Sequence, residues 1–372
     1  MRKKALLSSI LTIALCLSLI AGSTFALFTD STDFNIAITS GDIEIKATAA
    51  INAVYSAKGA DAADDKYLVD EFGHNYTHEL QTSGNFVNGG TAAVNQQTGT
   101  LEIVNITPGD RVDVDIVVDN TSNVAFVYRY KVEAVDSILA SGMVLTVDGK
   151  SYEAVKSWTS AWYPVVAAGE TVDTETISLE LPVFANNDYQ SEVAENDIKT
   201  AEYKITVEAV QGNAVTDDES ELVIYPTISA INTAIENGAV INLDGATVDT
   251  TEGFVIGSEP VAFVNGTITS TTAGVTFEGG AHTLSVAGNA KLVVETTDGA
   301  CVRLDGATVD LYIESLESFV YNNGARAFEL LNGSTLTIHV ADDATKTLLE
   351  QELTVAGFCT ADSTSTVSVV VG

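Results

Sequence analysis

His74 and His78 stand four residues apart in Gly73-His74-Asn75-Tyr76-Thr77-His78-Glu79. At that spacing two imidazoles on one helical face can grip a zinc ion. A zinc-protease helix places glutamate directly after the first histidine, where its carboxylate activates the attacking water; here Asn75 holds that place and Glu79 follows the second histidine. Gly73, Asn75 and Tyr76 suit a loop, so both read as surface histidines and no metal site is expected. Asp61, Asp64, Asp65, Asp70 and Glu71 crowd one stretch without the Asp-x-Asp-x-Asp-Gly register of a calcium loop. That stretch reads as a solvated acidic loop, with Ca²⁺ the one cation its charge would favour.

Sugar chemistry fares little better. A lyase acting on acidic sugars needs clustered bases, and Lys291, Arg303, Arg326 and Lys346 are scattered. A glycoside hydrolase needs two carboxylates at working distance. Asp244, Asp249, Asp305 and Asp310 recur with a repeat, so corner hydrogen bonding is their simplest role, and Asp342-Asp343 has no companion motif. Trp158, Trp162 and Tyr163 could stack on sugar rings or pack in a core or at an edge. No catalytic residue and no cofactor is expected.

The elements that would carry these residues are strands. Val112, Val114, Ile116 and Val118 alternate with Asp113 and Asp115, the pattern of a half-buried strand with a charged face. Ile177, Leu179 and Leu181 repeat it before Pro182, and Tyr203, Ile205, Val207 and Ala209 close the series. Asp148-Gly149 after Val144, Leu145 and Val147 signals a hairpin. Many short strands with turn residues between them predict a jelly-roll-type β-sandwich over 27–211.

An acidic linker is expected over 212–222, where Asp217, Asp218, Glu219 and Glu221 stand close together as a solvated hinge. Beyond it Ile228, Ile231, Ala234 and Ile235 share a helical face, and Asn237-Gly238 stops the helix. Then Leu243-Asp244-Gly245-Ala246-Thr247-Val248-Asp249 recurs residue for residue as Leu304-Asp305-Gly306-Ala307-Thr308-Val309-Asp310. Gly245, Gly266, Gly288, Gly306 and Gly333 recur at intervals of about 20 residues, the period of a stacked solenoid. The fold class expected is all-β, the sandwich followed over 223–372 by a right-handed parallel β-helix of about five or six coils with an N-terminal capping helix. Its repeat texture resembles the β-helices of pectate-lyase-like proteins, which implies nothing about activity.

Composition narrows the partners. Of 372 residues 51 are acidic and 17 basic, a net charge of −34 that repels phosphate backbones and anionic lipid. Neither nucleic acid nor, for the mature chain, a membrane is expected as partner. Arg2, Lys3 and Lys4 precede an apolar run from Ala5 to Ile20 and small residues around Gly22, which reads as a signal peptide over 1–26. Thr24-Phe25-Ala26 suits cleavage between Ala26 and Leu27, and Cys16 leaves with the leader. Cys301 and Cys359 then remain, as two buried thiols or as one bridge. Phe34, Ile36 and Ile38 alternate with polar residues just after the cut, and Ile43 and Ile45 follow Ser40-Gly41-Asp42, as in two strands.

The AGSTFALFTD junction followed by SGDIEIKA resembles that of TasA and camelysin-type proteins, secreted by Gram-positive bacteria and cut by a SipW-type signal peptidase. Ile106-Thr107-Pro108-Gly109-Asp110, the strand from Val112 to Val118, and Asp119-Asn120-Thr121 fit the same family over roughly the first 212 residues. The resemblance implies a secreted structural protein of the biofilm matrix or cell surface. In that family the exposed segment is expected to add as a strand to a neighbouring subunit, either a copy of itself or a related matrix protein. Phe28, Phe34, Ile36 and Ile38 would be the inserted side chains. Pairing of this strand within its own domain is the alternative, as are a secreted carbohydrate-active enzyme and a glycan-binding adhesin. The resemblance also brings a metallopeptidase label, which the histidine spacing does not support.

Overall fold

The computed structural model of the protein describes residues 45–59, 65–81, 84–87, 89–135, 137–185, 189, 200–211, 220–322, 324–355 and 357–372. Leader, cleavage site and ribbon, with Ala26, Leu27, Phe28, Phe34, Ile36 and Ile38, lie outside them.

The chain is nearly all-β. Its first part supplies β1 (Ile45–Lys58), β2 (Tyr76–Gln81), β3 (Thr91–Val94), β4 (Leu101–Val104), β5 (Arg111–Asn120) and β6 (Phe126–Ala134). After these come β7 (Val144–Val147), β8 (Lys150–Glu153), β9 (Val155–Thr159), β10 (Thr171–Glu180), β11 (Thr200–Gln211) and β12 (Glu221–Ile224). One antiparallel sheet has the order β2-β1-β5-β10-β7-β8; the facing one contains β12-β9-β6-β11-β4-β3. Both line one core, with Val112, Val114, Ile116 and Val118 of β5 and Phe126, Tyr130 and Val132 of β6 at most 1% exposed. The alternation read in β5 sets this, because period-two side chains put Val112, Val114, Ile116 and Val118 on one face. On its other face Asp113, Asp115 and Asp119 each accept a hydroxyl from β10, from Ser178, Thr176 and Thr171 at 2.7, 2.7 and 2.6 Å. The Asp148-Gly149 hairpin joins β7 and β8 with φ of 52° and 72°, as a type I′ turn requires.

The second part steps through three parallel sheets in turn. The first receives β13 (Val240–Asn242) and then Val261–Val264, Ala281–Ala287, Thr308–Ile313, Thr335–Val340 and Thr366–Val371. The second takes Thr247–Thr250, Thr267–Ser270, Lys291–Val294 and Phe319–Tyr321, the third the strands from Phe254–Val255 to Cys359–Ala361. At the first corner Asp244 and Gly245 both take positive φ, 52° and 78°, which short polar residues and glycine tolerate. Three of the four repeat aspartates belong to strands: Asp249 and Asp310 lie within them and Asp305 ends one, which leaves Asp244 at the expected corner.

The expected linker ends early. Glu221 and Leu222 belong to β12, which pairs antiparallel with β9 and parallel with β13. Both parts therefore share one 12-stranded sheet and do not meet across a free hinge. Helix α1 (Ile228–Glu236) begins at Thr227, whose hydroxyl accepts from Ala230 N–H, and packs on β8 and β12. It fills the joint, because β13 already has β12 as its end partner. Ile231, Ala234 and Ile235 are buried as its pattern predicts, but Ile228 is exposed. No helix among the described residues is long and apolar enough to cross a membrane.

Candidate functional site

Neither histidine of the opening pair is placed for metal. His74 lies in a turn with its Nδ1 2.8 Å from Asp70, whereas His78 is on β2 and partly buried, contrary to the surface loop expected. Its Nε2 is 3.5 Å from Glu180 of β10, and its Nδ1 meets Arg111 of β5 at 2.8 Å. Arg111 also forks onto Asp113 at 2.8 and 2.9 Å. Burial pushes the Glu180 carboxyl above its ordinary range while His78 works against that. Beside this network Gly109 holds φ 91°, and a side chain there would strike Ser56, so the Pro-Gly-Asp turn closes on β1. Among the described residues no group of three or more His, Cys, Asp or Glu is arranged to hold a metal ion.

The other acids are spent locally. Asp65 caps a short turn through Tyr67 N–H, Asp342 caps helix α2 (Asp343–Glu352), and Asp244 meets Lys156 at 3.0 Å. Asp305 binds the side chain of Asn332, and Asp310 meets His339 at 2.9 Å. Arg303 and Arg326 pair with Glu329. Cys301 and Cys359 are both free thiols. Val302 and Cys359 align on either side of Phe328, so the thiols are about two strand spacings, ~10 Å, apart, beyond the reach of a disulfide.

Of the three aromatics, Trp158 is core, Trp162 stacks under Arg129 at 4.5 Å, and Tyr163 lies flat on Tyr128 with centroids 5.0 Å apart. Tyr163 opens the one grouping that local structure does not explain. A cleft of about 360 Å³ is bounded by Tyr128, Tyr163, Val165, Val166, Val172 and Glu175, among others. Asn120 builds its wall: buried at the end of β5, it donates to the carbonyls of Val166 and Ala167 at 3.1 and 3.0 Å. The Asp-Asn end of the strand thereby closes the β5 end onto the Val166–Ala167 segment.

Glu175 enters this cleft because it alternates in register with Ile177 and Leu179 on the core face of β10, and an irregularity between Val172 and Glu175 brings Val172 onto the same face. Val172 faces Val118, and Glu175 faces Ile116, so a carboxylate occupies a core-facing position. Desolvation, followed by the Asp148 carboxyl hydrogen-bonded to it, pushes the Glu175 carboxyl up to about 7. Tyr163 donates to Asp148 at 2.8 Å. Burial and then Asp148 raise Tyr163 well above the usual phenol range, and burial raises Tyr128 to about 12. Tyr130 is wholly buried behind them, and its hydroxyl has no hydrogen-bond partner among the described residues. The signal that could have found Glu175 is a charged residue in phase with Ile177 and Leu179, on the buried face of the strand, but only pairing reveals the bulge beside Val172.

The raised carboxyl has a pH consequence. Folded Glu175 holds a proton between its ordinary value near 4.5 and about 7, while the unfolded chain has lost it, so this group's stabilisation is present at low pH and fades as pH rises through that window. Glu175→Gln is expected to remove that slope. Subtracting wild-type from variant melting temperatures should leave a difference that climbs from pH 4.5 to 7 and then levels; a flat difference would refute the assignment.

The sequence model of the family described as camelysin metallo-endopeptidase matches residues 1–74, so the N-terminal fifth is camelysin-like. No curated protein matches the chain. Among solved structures, the catalytic domain of a GH87 alpha-1,3-glucanase in complex with nigerose is 13% identical over 64% of this chain and 57% of that one, with a TM-score of 0.18. The same domain in complex with tetrasaccharides gives 13%, 68%, 59% and 0.18. The catalytic unit of the thermostable GH87 alpha-1,3-glucanase from Streptomyces thermodiastaticus strain HF3-3 gives 12%, 89%, 75% and 0.15. The chain spans less than two thirds of the first two, and likeness at this level carries no argument about activity.

Proposed function

We propose that the protein is a secreted structural component of an extracellular matrix or cell surface, assembling into fibres by strand donation once its leader is cut between Ala26 and Leu27. In this reading the two-sheet part is a jelly-roll-type sandwich, and the coiled part a right-handed parallel β-helix displayed along the fibre. One observation carries it. β2 pairs with β1 only from Ala53 to Lys58, so from Ile45 to Asn52 β1 has β5 as its single partner among the described residues.

Along that open edge Ala47, Ala49 and Ile51 face the core yet stay partly exposed, while Ala53, where β2 begins, is fully buried. An added strand would satisfy the free backbone groups and seat apolar side chains over those alanines. Phe34, Ile36 and Ile38 of a neighbouring copy supply that alternation, with Phe28 nearer the cut. An uncut leader would tether Leu27 and prevent insertion.

Electron microscopy of a chain beginning at Leu27, beside one with an N-terminal extension, tests this. Filaments from the first alone are expected. A protein that stays monomeric from either start, or polymerises equally from both, overturns strand donation. Depolymerisation of a pure glycan by the monomer would favour the carbohydrate-active reading.

A further inference from the structure

The Tyr163 cleft combines acidic, aromatic and apolar groups. Two carboxylates, Asp148 and Glu175, touch one another among tyrosine rings, and none of the charges that shift Glu175 is a cation. Lys150, two residues after Asp148, donates to the Asn237 carbonyl at 3.2 Å, and Arg129, next to Tyr128, is committed to Glu208 and Trp162. Independently, the buried Tyr130 hydroxyl has no well-aligned hydrogen-bond partner among the described residues, and the titratable groups acting on it are the adjoining Tyr128 hydroxyl, Glu175 and Asp148, so it adjoins the same cluster. Apolar walls from Val165, Val166 and Val172 adjoin the acids. An ammonium group beside an aliphatic side chain complements all of this: the charge is neutralised by the acids and the π faces, and the side chain covers the valines.

We propose that this cleft captures a free amino terminus, its ammonium between Asp148 and Glu175 and its first side chain against Val165, Val166 and Val172, the occupant being Leu27 of a second copy. The inference rests on the strand-donation reading and adds the chemical mark by which a cut chain is told from an uncut one. Reach permits it. With Phe34 to Ile38 added outside the open edge of β1, residues 27–33 can extend ~23 Å, whereas that added strand and β10 would be three strand spacings apart, ~14 Å. Leucine and phenylalanine lead the cut chain, and proteolysis creates a cation where the uncut chain has a neutral amide.

The titratable groups lining the cleft are Glu175 on β10, Tyr163 and Glu170 on the wall, and Tyr128 on β6; Asp148, on the exposed β7–β8 turn, adjoins them through Tyr163 and Glu175, and Tyr130 lies buried behind. A proton on the acid pair competes with the amine, so binding weakens as pH falls below about 7.

The receptor for the test is the chain preceded by a short extension that begins with pyroglutamate, which leaves no free α-amine. Calorimetry with leucyl-phenylalanine amide is expected to show binding. The acetylated dipeptide, and separately the Glu175→Gln receptor, should each bind at least tenfold more weakly; Asp148→Asn serves if the first variant misfolds. Equal binding of the acetylated peptide, of N-acetyl-lysine methylamide, or of maltotriose overturns capture of a terminus. Filaments from the Leu27 chain without peptide binding would sink this inference and leave donation standing; peptide binding without filaments would do the reverse.

Discussion

Leu222→Ala is expected to cost about 2–5 kcal/mol and to destabilise both parts of the molecule together. Leu222 is 1% exposed in the middle of the 12-stranded sheet, opposite Trp158 of β9 on one side and Ile241 of β13 on the other. The cavity left by truncation therefore opens between the antiparallel and the parallel parts. Trp158 reports on it directly, since it lies across the strand pair. Denaturant unfolding followed by tryptophan emission and by circular dichroism should give coincident curves shifted to lower midpoint. Leu348→Ala, at an exposed site on α2, should change stability by no more than about 0.5 kcal/mol. A coil transition left in place while the tryptophan signal moves would mean that the two parts fold as separate units.

Arg111→Met is expected to be the most damaging single change in the first part, costing about 3–5 kcal/mol. The guanidinium forks onto Asp113 and holds His78, which in turn stands beside Glu180, itself 5% exposed. Removing it strands buried charge without solvent or counterion. Arg111→Lys keeps the charge but not the fork, and should recover only part of the loss. Neutralising the partner gives the sharper check. The double variant Arg111→Met, Glu180→Gln should be less destabilised than the sum of the singles, because one uncompensated carboxylate is gone. Strict additivity would show that Glu180 does not depend on Arg111.

The network also explains why a histidine pair at zinc spacing is not a zinc site. His74 and His78 are helical neighbours only if the segment is a helix, and His78 falls on β2, where the strand directs its ring to Arg111 and Glu180. Spacing in sequence has a meaning only within the right element. The acidic residues show the same limit. Asp342 looked idle in the sequence and is a helix cap, whereas Asp310, grouped by repeat with corner residues, stands on a strand beside His339.

What the sequence determined by itself was the strand content, the buried faces of β5, β10 and β11, the Asp148-Gly149 turn and the period of the coil. These depend on local steric preference and on apolar alternation, both carried by neighbouring residues. What only the tertiary structure decided was the union of the two parts through β12, the half-open edge of β1, and the meeting of Asp148, Tyr163 and Glu175. Each of those depends on which strand pairs with which and in what register. Pairing with β5 holds Glu175 opposite Ile116 while a one-residue irregularity before it brings Val172 to the same face, and no local pattern records a partner that arrives from elsewhere in the chain.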